Sequence, residues 1–320
     1  MTGPPAATAA VRLAVRRVLL DLTGPVAAAV SGGADSLALA AALAFERPGS
    51  AALVVDHGLQ AGSAGVAARA ADQCRGLGLA GQVLAAQVPA IPPVPLLEKG
   101  TAAGGPEARA RAARYAALDE VAARTGLAAV LLGHTLDDQA ETVLLGLVRG
   151  SGARALSGMA AERGVYRRPL LGTDRATTRV ACAEAGLEPW EDPHNAERAY
   201  ARVRVRSAVL PVLEHELGPG VARALARSAR QLREDADALD ALTPELEVEP
   251  GCAELAALLP AVRARALKRW AEAQAGRAVT GAHVEALRAL VEQWHGQRAV
   301  SLPGGLRVLR RGGRLACRRD

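Results

Sequence analysis

The segment SGGADS at 31–36 combines two glycines, two hydroxyls and a carboxylate within six residues. An apolar run, Val26–Val30, precedes it and another, at 36–45, follows it, so the pattern predicts a strand, a glycine turn and a helix. Backbone N–H groups and the positive end of a helix meet at such a turn and bind anions. The segment therefore predicts a phosphate-binding loop, although an ordinary turn capped by Asp35 or Ser36 would use the same residues.

A second polar segment, GHTLDDQAET at 133–142, follows another apolar run. If a helix begins within this segment, Asp138 and Glu141 lie three residues apart on one face. Two carboxylates placed in this way could bind a cation and accept its proton, with His134 nearby. Thr135 and Asp138 also fit a capping box, which needs no ligand, and His134 could be a buried structural histidine.

Arginine is concentrated in three places that could bind phosphate groups or RNA. One is the predicted helix 107–124, where Arg111 and Arg114 share a face with Glu107. The others are a segment in which arginine alternates with valine and a basic tail around a Gly-Gly turn: Arg202, Arg204 and Arg206, and Arg307, Arg310, Arg311, Arg314, Arg318 and Arg319. Arginines are also common on solvated surfaces, so sequence alone leaves that alternative open.

These polar residues need a scaffold that brings distant turns together. Four apolar runs alternate with helical segments, at 26–30, 51–55, 82–88 and 128–132. The alternation predicts an α/β fold, an open parallel sheet with helices on both faces. Ligands of such sheets bind beyond the carboxyl ends of the strands, so the turns at Ser31, Asp56 and Gly133 should converge on one site. A Pro- and Gly-rich stretch at 89–106 predicts a mobile loop.

The second half of the chain changes in pattern. Residues 174–216 are Arg-rich and helical in pattern, Gly218-Pro219-Gly220 interrupts them, and a further helix ends near Leu242. The tail contains two helical segments and then short strands joined by glycine turns at 299–318. We therefore expect a catalytic domain, a helical linker and a small α+β C-terminal domain, at 1–217, 218–250 and 251–320.

Composition restricts the class of protein. A formal net charge of +6 and a pI near 9.7 favour a polyanionic partner, although Arg-rich composition alone could produce the excess. The four cysteines form no C-x-x-C pair, which argues against a zinc ribbon, an iron–sulfur cluster or a redox pair. No stretch has the ~18 apolar residues of a membrane span and no secretory signal is visible, so we expect a cytoplasmic protein.

The motifs together resemble a known enzyme family. SGGADS is similar to the PP-loop of the N-type ATP pyrophosphatases, whose fold is Rossmann-like. The further motifs resemble the tRNA(Ile)-lysidine synthase family in the same order: VDHGL at 55–59, EARAR and RY at 107–115, GHTLDDQAET at 133–142, RGSG at 149–152, RPLL at 168–171, and WEDP with Asn195. The similarity returns at 259–260 and 301–305 and covers nearly the whole chain. Gln60, His194 and Val203 differ from residues common in that family.

The resemblance implies a ligase reaction on RNA. ATP would adenylylate the C2 oxygen of the wobble cytidine, position 34, in the CAU anticodon of tRNA(Ile), with Mg²⁺ bridging the phosphates. Free L-lysine would then displace AMP. The product base, lysidine, reads AUA instead of AUG. A homodimer is also implied.

The resemblance further implies roles for individual residues. ATP would contact Ser31, Gly32, Gly33, Ala34, Asp35, Ser36, Asp56, His57, Arg111, Arg114, Gly133 and His134. The implied catalytic residues are Asp35, Arg114, His134, Asp138 and Glu141, and Asp35 would also approach the metal. Lysine would bind to Asp138 and Glu141. The tRNA would contact Arg202, Arg204, Arg206, Arg307, Arg310, Arg311 and Arg314.

Two other functions share part of this pattern. A PP-loop tRNA thiolase would relay sulfur through cysteines, and the lack of paired cysteines weighs against it. A non-catalytic tRNA-binding protein would not need the combination of Ser31, Asp35, Asp138 and Glu141.

Overall fold

Strands and helices alternate along the first part of the chain. The computed structural model describes residues 3–56, 62–85, 106–192 and 197–319, without the side chains of 85, 106–108 and 110. The first elements are α1 (Ala6–Leu19), β1 (Val26–Val30), α2 (Ala34–Glu46), β2 (Ala51–Asp56), α3 (Ser63–Gly76), β3 (Ala80–Ala85), α4 (Pro106–Thr125), β4 (Ala129–Leu132), α5 (Leu136–Val148) and α6 (Ala153–Leu156). The predicted order of strands and helices is confirmed. The loop predicted at 89–106 lies almost wholly outside the described residues.

The next elements are shorter. They are β5 (Glu162–Arg163), β6 (Tyr166–Arg167), a 3-10 turn (Pro169–Gly172), α7 (Arg175–Glu184), α8 (Ala201–Arg204), a π-helical turn (Val205–Val209) and α9 (Leu210–Glu216). β5 and β6 were not predicted, because two-residue strands show no periodicity. The prediction of helix throughout 174–216 was wrong, since α7 ends at Glu184 and residues 187–192 are not helical.

One six-stranded sheet, in the order β3-β2-β1-β4-β6-β5, organises these elements. The pairs β1–β2, β2–β3, β1–β4 and β4–β6 are parallel, and only the edge pair β5–β6 is antiparallel. The chain builds outward from β1 to β3 and then crosses to β4 on the other side. The carboxyl ends of β1 and β4 are therefore neighbours at the point where the strand order reverses, which is the expected place for a ligand.

Helices cover both faces of the sheet, as predicted. On one face Val26, Ala28 and Val30 pack in a core with residues of α1, α2, α3 and α7. On the other face Ala27 packs with Leu118 and other residues of α4. Because side chains alternate along a strand, β1, β2 and β4 each contribute to both cores. Alanine and valine fill most of the strand positions, which agrees with the low aromatic content of the sequence.

The chain divides into two compact units, residues 1–230 and 231–320. The division falls inside α10 (Val221–Ala241), whereas the glycine break noted at 218–220 lies between α9 and α10. The remaining elements are α11 (Cys252–Ala257), α12 (Pro260–Ala275), α13 (Gly281–Glu292), β7 (Val300–Leu302), β8 (Leu306–Arg311) and β9 (Arg314–Arg319). The tail thus has three helices rather than the two predicted, because Pro260 starts a new helix directly after α11.

The second unit has its own core and its own sheet. β7, β8 and β9 form an antiparallel sheet in that order. Leu302, Leu306 and Val308 pack with Trp270 and Leu287 of the neighbouring helices. The predicted small α+β arrangement is confirmed. Within the described ranges of both units, every helix is too short or too polar to cross a bilayer.

Candidate active site

The loop between β1 and α2 is closed by its own serines. The Ser31 N–H donates to Ser36 Oγ at 3.1 Å, and the two hydroxyl oxygens are 3.2 Å apart. Ser36 Oγ donates in turn to the carbonyl of Gly33, the N-cap of α2, at 2.9 Å. Gly32 has φ +85°, a conformation that favours glycine. These contacts fix the backbone of the loop, and a loop of this kind at the start of a helix can bind an anion through its N–H groups.

Gly133 brings the end of β4 against this loop. A Cβ at this position would lie 3.1 Å from Ser36 Cα and 3.2 Å from the carbonyl oxygen of Asp35. A side chain at this position would push the loop backbone away by a few tenths of an ångström, so Gly133 allows the end of β4 to approach the loop this closely. The sequence analysis identified both segments but did not predict their contact.

A cavity of about 400 Å³ opens where the two segments meet. Its walls include Ser31, Gly33, Ala34, Asp35 and Ser36 of the loop. The other polar or aromatic residues that line it are Arg114, Tyr115, His134, Asp138, Arg175, Arg179, Trp190, Glu191 and Arg206. Many of the predicted site residues thus border one cavity at the carboxyl ends of the strands.

The acids of the site are paired with arginines. Arg175 Nη2 lies 2.7 Å from Asp138 Oδ1, Arg175 Nη1 lies 3.3 Å from Glu141 Oε1, and Arg175 Nε lies 3.5 Å from Asp35 Oδ2. Arg206 contacts both oxygens of Glu141, at 2.7 and 3.1 Å. Three acids from α2 and α5 therefore share two guanidinium groups.

Asp138 and Asp35 have opposite pKa shifts. Burial raises the pKa of Asp138, but the charge of Arg175 and the hydrogen bonds from Thr135 outweigh it and hold the pKa below its usual value. The Thr135 N–H and O–H both donate to Asp138 Oδ2, at 2.8 and 3.0 Å, so the predicted cap exists alongside the ion pair. Burial dominates at Asp35 and raises its pKa, although the Thr178 hydroxyl donates to its carboxylate.

His134 and Arg114 are the other predicted catalytic residues in the cavity. Burial lowers the pKa of His134 to about 4, and its Nδ1 has no hydrogen-bond partner among the described residues. The imidazole is therefore neutral at physiological pH. Burial also lowers the pKa of Arg114, and the neighbouring charge of Arg111 adds to the effect. Arg111 lies over the Tyr115 ring, 5.1 Å from its centre.

Comparisons with known proteins show which family the chain belongs to. A family model of the PP-loop domain matches residues 15–213, and one of the TilS substrate binding domain matches residues 252–316. The tRNA(Ile)-lysidine synthase of Leifsonia xyli subsp. xyli is 55% identical over 301 residues, which are 89% of this chain and 87% of that protein. The tRNA(Ile)-lysidine synthase of Salinispora tropica is 53% identical over 98% of this chain and 96% of that protein. The chain belongs to the tRNA(Ile)-lysidine synthase family.

A solved structure with the same fold has a different activity. The U34-tRNA thiolase NcsA from Methanococcus maripaludis, with its 4Fe-4S cluster, matches with a TM-score of 0.57 at 21% identity. The match covers 71% of this chain and 78% of that chain. At this identity the similarity shows the fold alone.

Of the two remaining predicted nucleotide residues, Asp56 lies at the end of the second strand. Asp56 is the last residue of β2, next to Val55, which lines the cavity. The carboxyl end of β2 therefore lies at the same edge of the sheet as the cavity, as the sequence predicted. His57 lies outside the described residues, as do Gln60, His194 and Asn195.

The three arginines that alternate with valine do not share a face. They lie on helix rather than strand, so Arg202 and Arg206 are one turn apart and Arg204 points elsewhere. Arg202 Nη2 is 3.4 Å from Thr142 Oγ1, and Arg206 reaches Glu141. Arg204 is exposed and donates to the carbonyls of Arg198 and Ala199. Of these three arginines, Arg206 lines the cavity described above.

The tail arginines also separate into two sets. Arg310 points towards the helices and donates to the carbonyls of Leu290 and Val291 at the end of α13, at 3.0 and 3.2 Å. Cross-strand pairing places four arginines on the opposite, outer face of the sheet, as the pairs Arg307–Arg318 and Arg311–Arg314. Arg314 Nη2 lies 2.6 Å from Glu247 Oε2. Arg314 Nε also donates to the carbonyl of Glu249 at 2.6 Å, so Arg314 is already paired within the second unit.

Several site residues were missed by sequence reasoning. Arg175 and Thr178, in the first turns of α7, contact acids far away along the chain. Trp190 was included only in a motif, yet its N–H donates to the carbonyl of Gly32 at 2.9 Å and its side chain lines the cavity. Glu191 is 3.4 Å from Arg179. The sequence offered one indirect signal for the missed arginines. Asp35, Asp138 and Glu141 were expected near one another, and three clustered acids require positive charge nearby.

Proposed function

We propose that this chain is a tRNA(Ile)-lysidine synthase, an ATP-dependent ligase that converts the wobble cytidine of tRNA(Ile) to lysidine. The observation that carries the proposal is a single cavity bordered by an anion-binding loop and by acids paired with Arg175 and Arg206. Relatives more than half identical over most of the chain have this name. ATP is the nucleotide that the PP-loop domain binds.

In the proposed first step the C2 oxygen of cytidine 34 attacks the α-phosphate of ATP. The N–H groups at 33–35 and the hydroxyl of Ser31 would hold the departing pyrophosphate, and Arg114 would stabilise negative charge as it develops. Neutral His134 would donate or accept a hydrogen bond rather than act as a cation. All of the residues given these roles border the cavity.

Mg²⁺ would neutralise phosphate charge in this step. The described residues contain no group of three or more His, Cys, Asp or Glu side chains that could hold a metal ion by themselves. A single carboxylate at Asp35, together with ATP phosphates and water, fits the way Mg²⁺ is usually bound with nucleotides. Asp35 is 25% exposed and borders the cavity, so it is the carboxylate we assign to the metal.

In the proposed second step the side-chain amine of lysine attacks C2 and displaces AMP. Only on the order of one lysine in a few thousand has a free side-chain amine at neutral pH, so a carboxylate must bind the ammonium and accept its proton. Asp138 borders the cavity, whereas Glu141 is fully buried behind Arg206. We therefore assign direct lysine contact to Asp138, and we propose that Glu141 acts through Arg206.

The anticodon and the rest of the tRNA would occupy the arginine-rich surfaces. In the second unit the outer face of the sheet, with Arg307, Arg311 and Arg318, is the proposed phosphate contact, whereas Arg314 is already paired with Glu247 and with the carbonyl of Glu249. Arg310 is not assigned to RNA, because it binds carbonyls at the end of α13. A homodimer is part of the proposal, and light scattering measures it.

The deciding experiment combines the chain with ATP, Mg²⁺, labelled lysine and a CAU-anticodon transcript. We expect label in the RNA, AMP in equal amount, and no label in a transcript with a different wobble base. Asp138→Asn should abolish transfer while tRNA binding stays within about twofold, and Glu120→Gln, on the exposed side of α4, is the matched control. A lack of lysine-dependent label, or sulfur incorporation when a sulfur donor is supplied, contradicts the proposal and favours the thiolase alternative.

A further inference from the structure

Arg175 contacts an acid on each side of the cavity. Its three guanidinium nitrogens approach three different carboxylates, namely Asp35 on α2 and Asp138 and Glu141 on α5. Its own side chain is only 16% exposed. Asp35 belongs to the proposed nucleotide half of the site, and the other two acids belong to the proposed lysine half. One buried side chain thus connects the two halves.

The backbone of Arg175 is fixed as firmly as its side chain. Its backbone N–H donates to Asp137 Oδ2 at 2.7 Å. A side chain of α5 thus accepts a hydrogen bond from one of the first N–H groups of α7, which have no partner within their own helix. Asp174 Oδ1 accepts the N–H of Thr177 at 2.9 Å and so caps α7 in the usual way. The Thr178 hydroxyl, one turn further on, donates to the carboxylate of Asp35. The first turn of α7 is therefore attached to both α2 and α5.

Arg206 shares two of the three acids that Arg175 contacts, Asp138 and Glu141, but it does not reach Asp35. Arg206 is 2.7 Å from Glu141 and 3.6 Å from Asp138. Among the ion pairs formed within the described ranges, Asp35 has Arg175 as its partner. Without Arg175, Asp35 would repel both Asp138 and the phosphates that the neighbouring loop would hold.

We propose that Arg175 is a positioning residue that holds the carboxylates of the nucleotide half and the lysine half of the site at a fixed separation. The inference rests on the proposed function. Arg175 does not react. It keeps Asp138 oriented towards the cavity and prevents repulsion between Asp138 and Asp35, so that the lysine amine meets the activated base in the required geometry.

A planar fork is necessary for this role. Each contact uses a different nitrogen, which a guanidinium supplies in a rigid arrangement. An ammonium at the same position has the same charge but is a single point, so it can satisfy Asp138 or Asp35 but not all three acids. Arg175→Lys therefore separates the loss of geometry from the loss of charge.

The test measures steady-state constants for Arg175→Lys and Arg175→Gln in the full-length chain with tRNA. For Arg175→Lys we expect a lysine KM raised at least about tenfold, an ATP KM within about threefold of wild type, and an unchanged unfolding midpoint. For Arg175→Gln we expect both KM values to rise, because charge is lost as well. Arg223→Gln is the matched control, since it breaks an exposed ion pair with Asp174 at the same end of α7.

Thr178→Val provides a second, independent variant. It removes the hydroxyl that holds Asp35 against α7 and changes no charge, so we expect the lysine KM to rise about threefold or more. The proposal is overturned if the lysine KM of every folded variant stays within twofold of wild type, including the case in which only the apparent kcat falls because less of the chain is folded. If wild-type chain transfers no lysine at all, the proposed function itself fails, which is a distinguishable result.

Discussion

The buried imidazole of His134 predicts a specific loss of stability in mild acid. His134 is the second residue after β4, its Nδ1 has no hydrogen-bond partner in the described part of the chain, and burial lowers its pKa to about 4. An unfolded histidine titrates near 6.5. Between these two values the unfolded chain binds a proton that the folded chain does not. The stability from burying neutral His134 is thus present above about pH 6.5 and is lost as the pH falls towards 4.

The size of this effect follows from the two pKa values. They differ by about 2.5 pH units, and each unit corresponds to about 1.4 kcal/mol, so the maximum loss is roughly 3 kcal/mol. By pH 4.5 we expect roughly 2 kcal/mol or slightly more of this to be lost. Such a change is a large part of the 5–15 kcal/mol that stabilises typical domains.

The assay compares urea unfolding of wild type and His134→Asn from pH 7 to pH 4.5. The variant loses some stability at every pH, but it has no group at this position that can bind the proton. The difference in unfolding free energy between the two proteins should therefore shrink by roughly 2 kcal/mol as the pH falls. His215→Asn is the matched control, because the His215 side chain is 85% exposed on α9. Parallel pH curves for wild type and His134→Asn would refute the reasoning.

Three further predictions concern the loop, the buried acid and the basic face. Gly133→Ala should raise the ATP KM at least about tenfold, since its Cβ would lie 3.1 Å from Ser36 Cα, and ATP titration of the folded variant measures this. Glu141→Gln should cost roughly 1.5–3 kcal/mol in urea unfolding, because Arg175 and Arg206 both lose the charge of a fully buried partner. Arg311→Ala should reduce the salt slope of tRNA binding by ~0.7–0.9 in filter binding at several salt concentrations, if Arg311 neutralises one phosphate.

Local signals were sufficient to predict the loop and the sheet. Val26–Val30 is apolar, SGGADS contains the glycines and hydroxyls, and the next apolar stretch begins immediately, so strand, turn and helix follow from neighbouring residues. The convergence of Ser31 and Gly133 followed from parallel strand topology. The close contact between Gly133 and the backbone of Asp35 and Ser36 could not be predicted, because strand topology does not give distances between neighbouring turns.

The role of Arg175 could not be read from the sequence. It lies in a region with many arginines, and its partners Asp35 and Asp138 are far away along the chain, so no local period distinguishes it. Arg310 is different, because a signal was present. Leu306 and Val308 mark the inner face of β8, and alternation places Arg310 on that face and Arg307 on the other.

The kind of cation in the cavity matters for the proposed chemistry. Every basic side chain among the described lining residues, apart from neutral His134, is a guanidinium: Arg114, Arg175, Arg179 and Arg206. The chain has only two lysines, of which Lys99 lies outside the described residues and Lys268 belongs to the second unit. Arginine stays protonated in proteins, so it supplies positive charge without offering a nucleophilic lone pair. Among the described residues that line the cavity, none therefore offers an amine to an adenylylated base, and the proposed nucleophile is the side-chain amine of the lysine substrate.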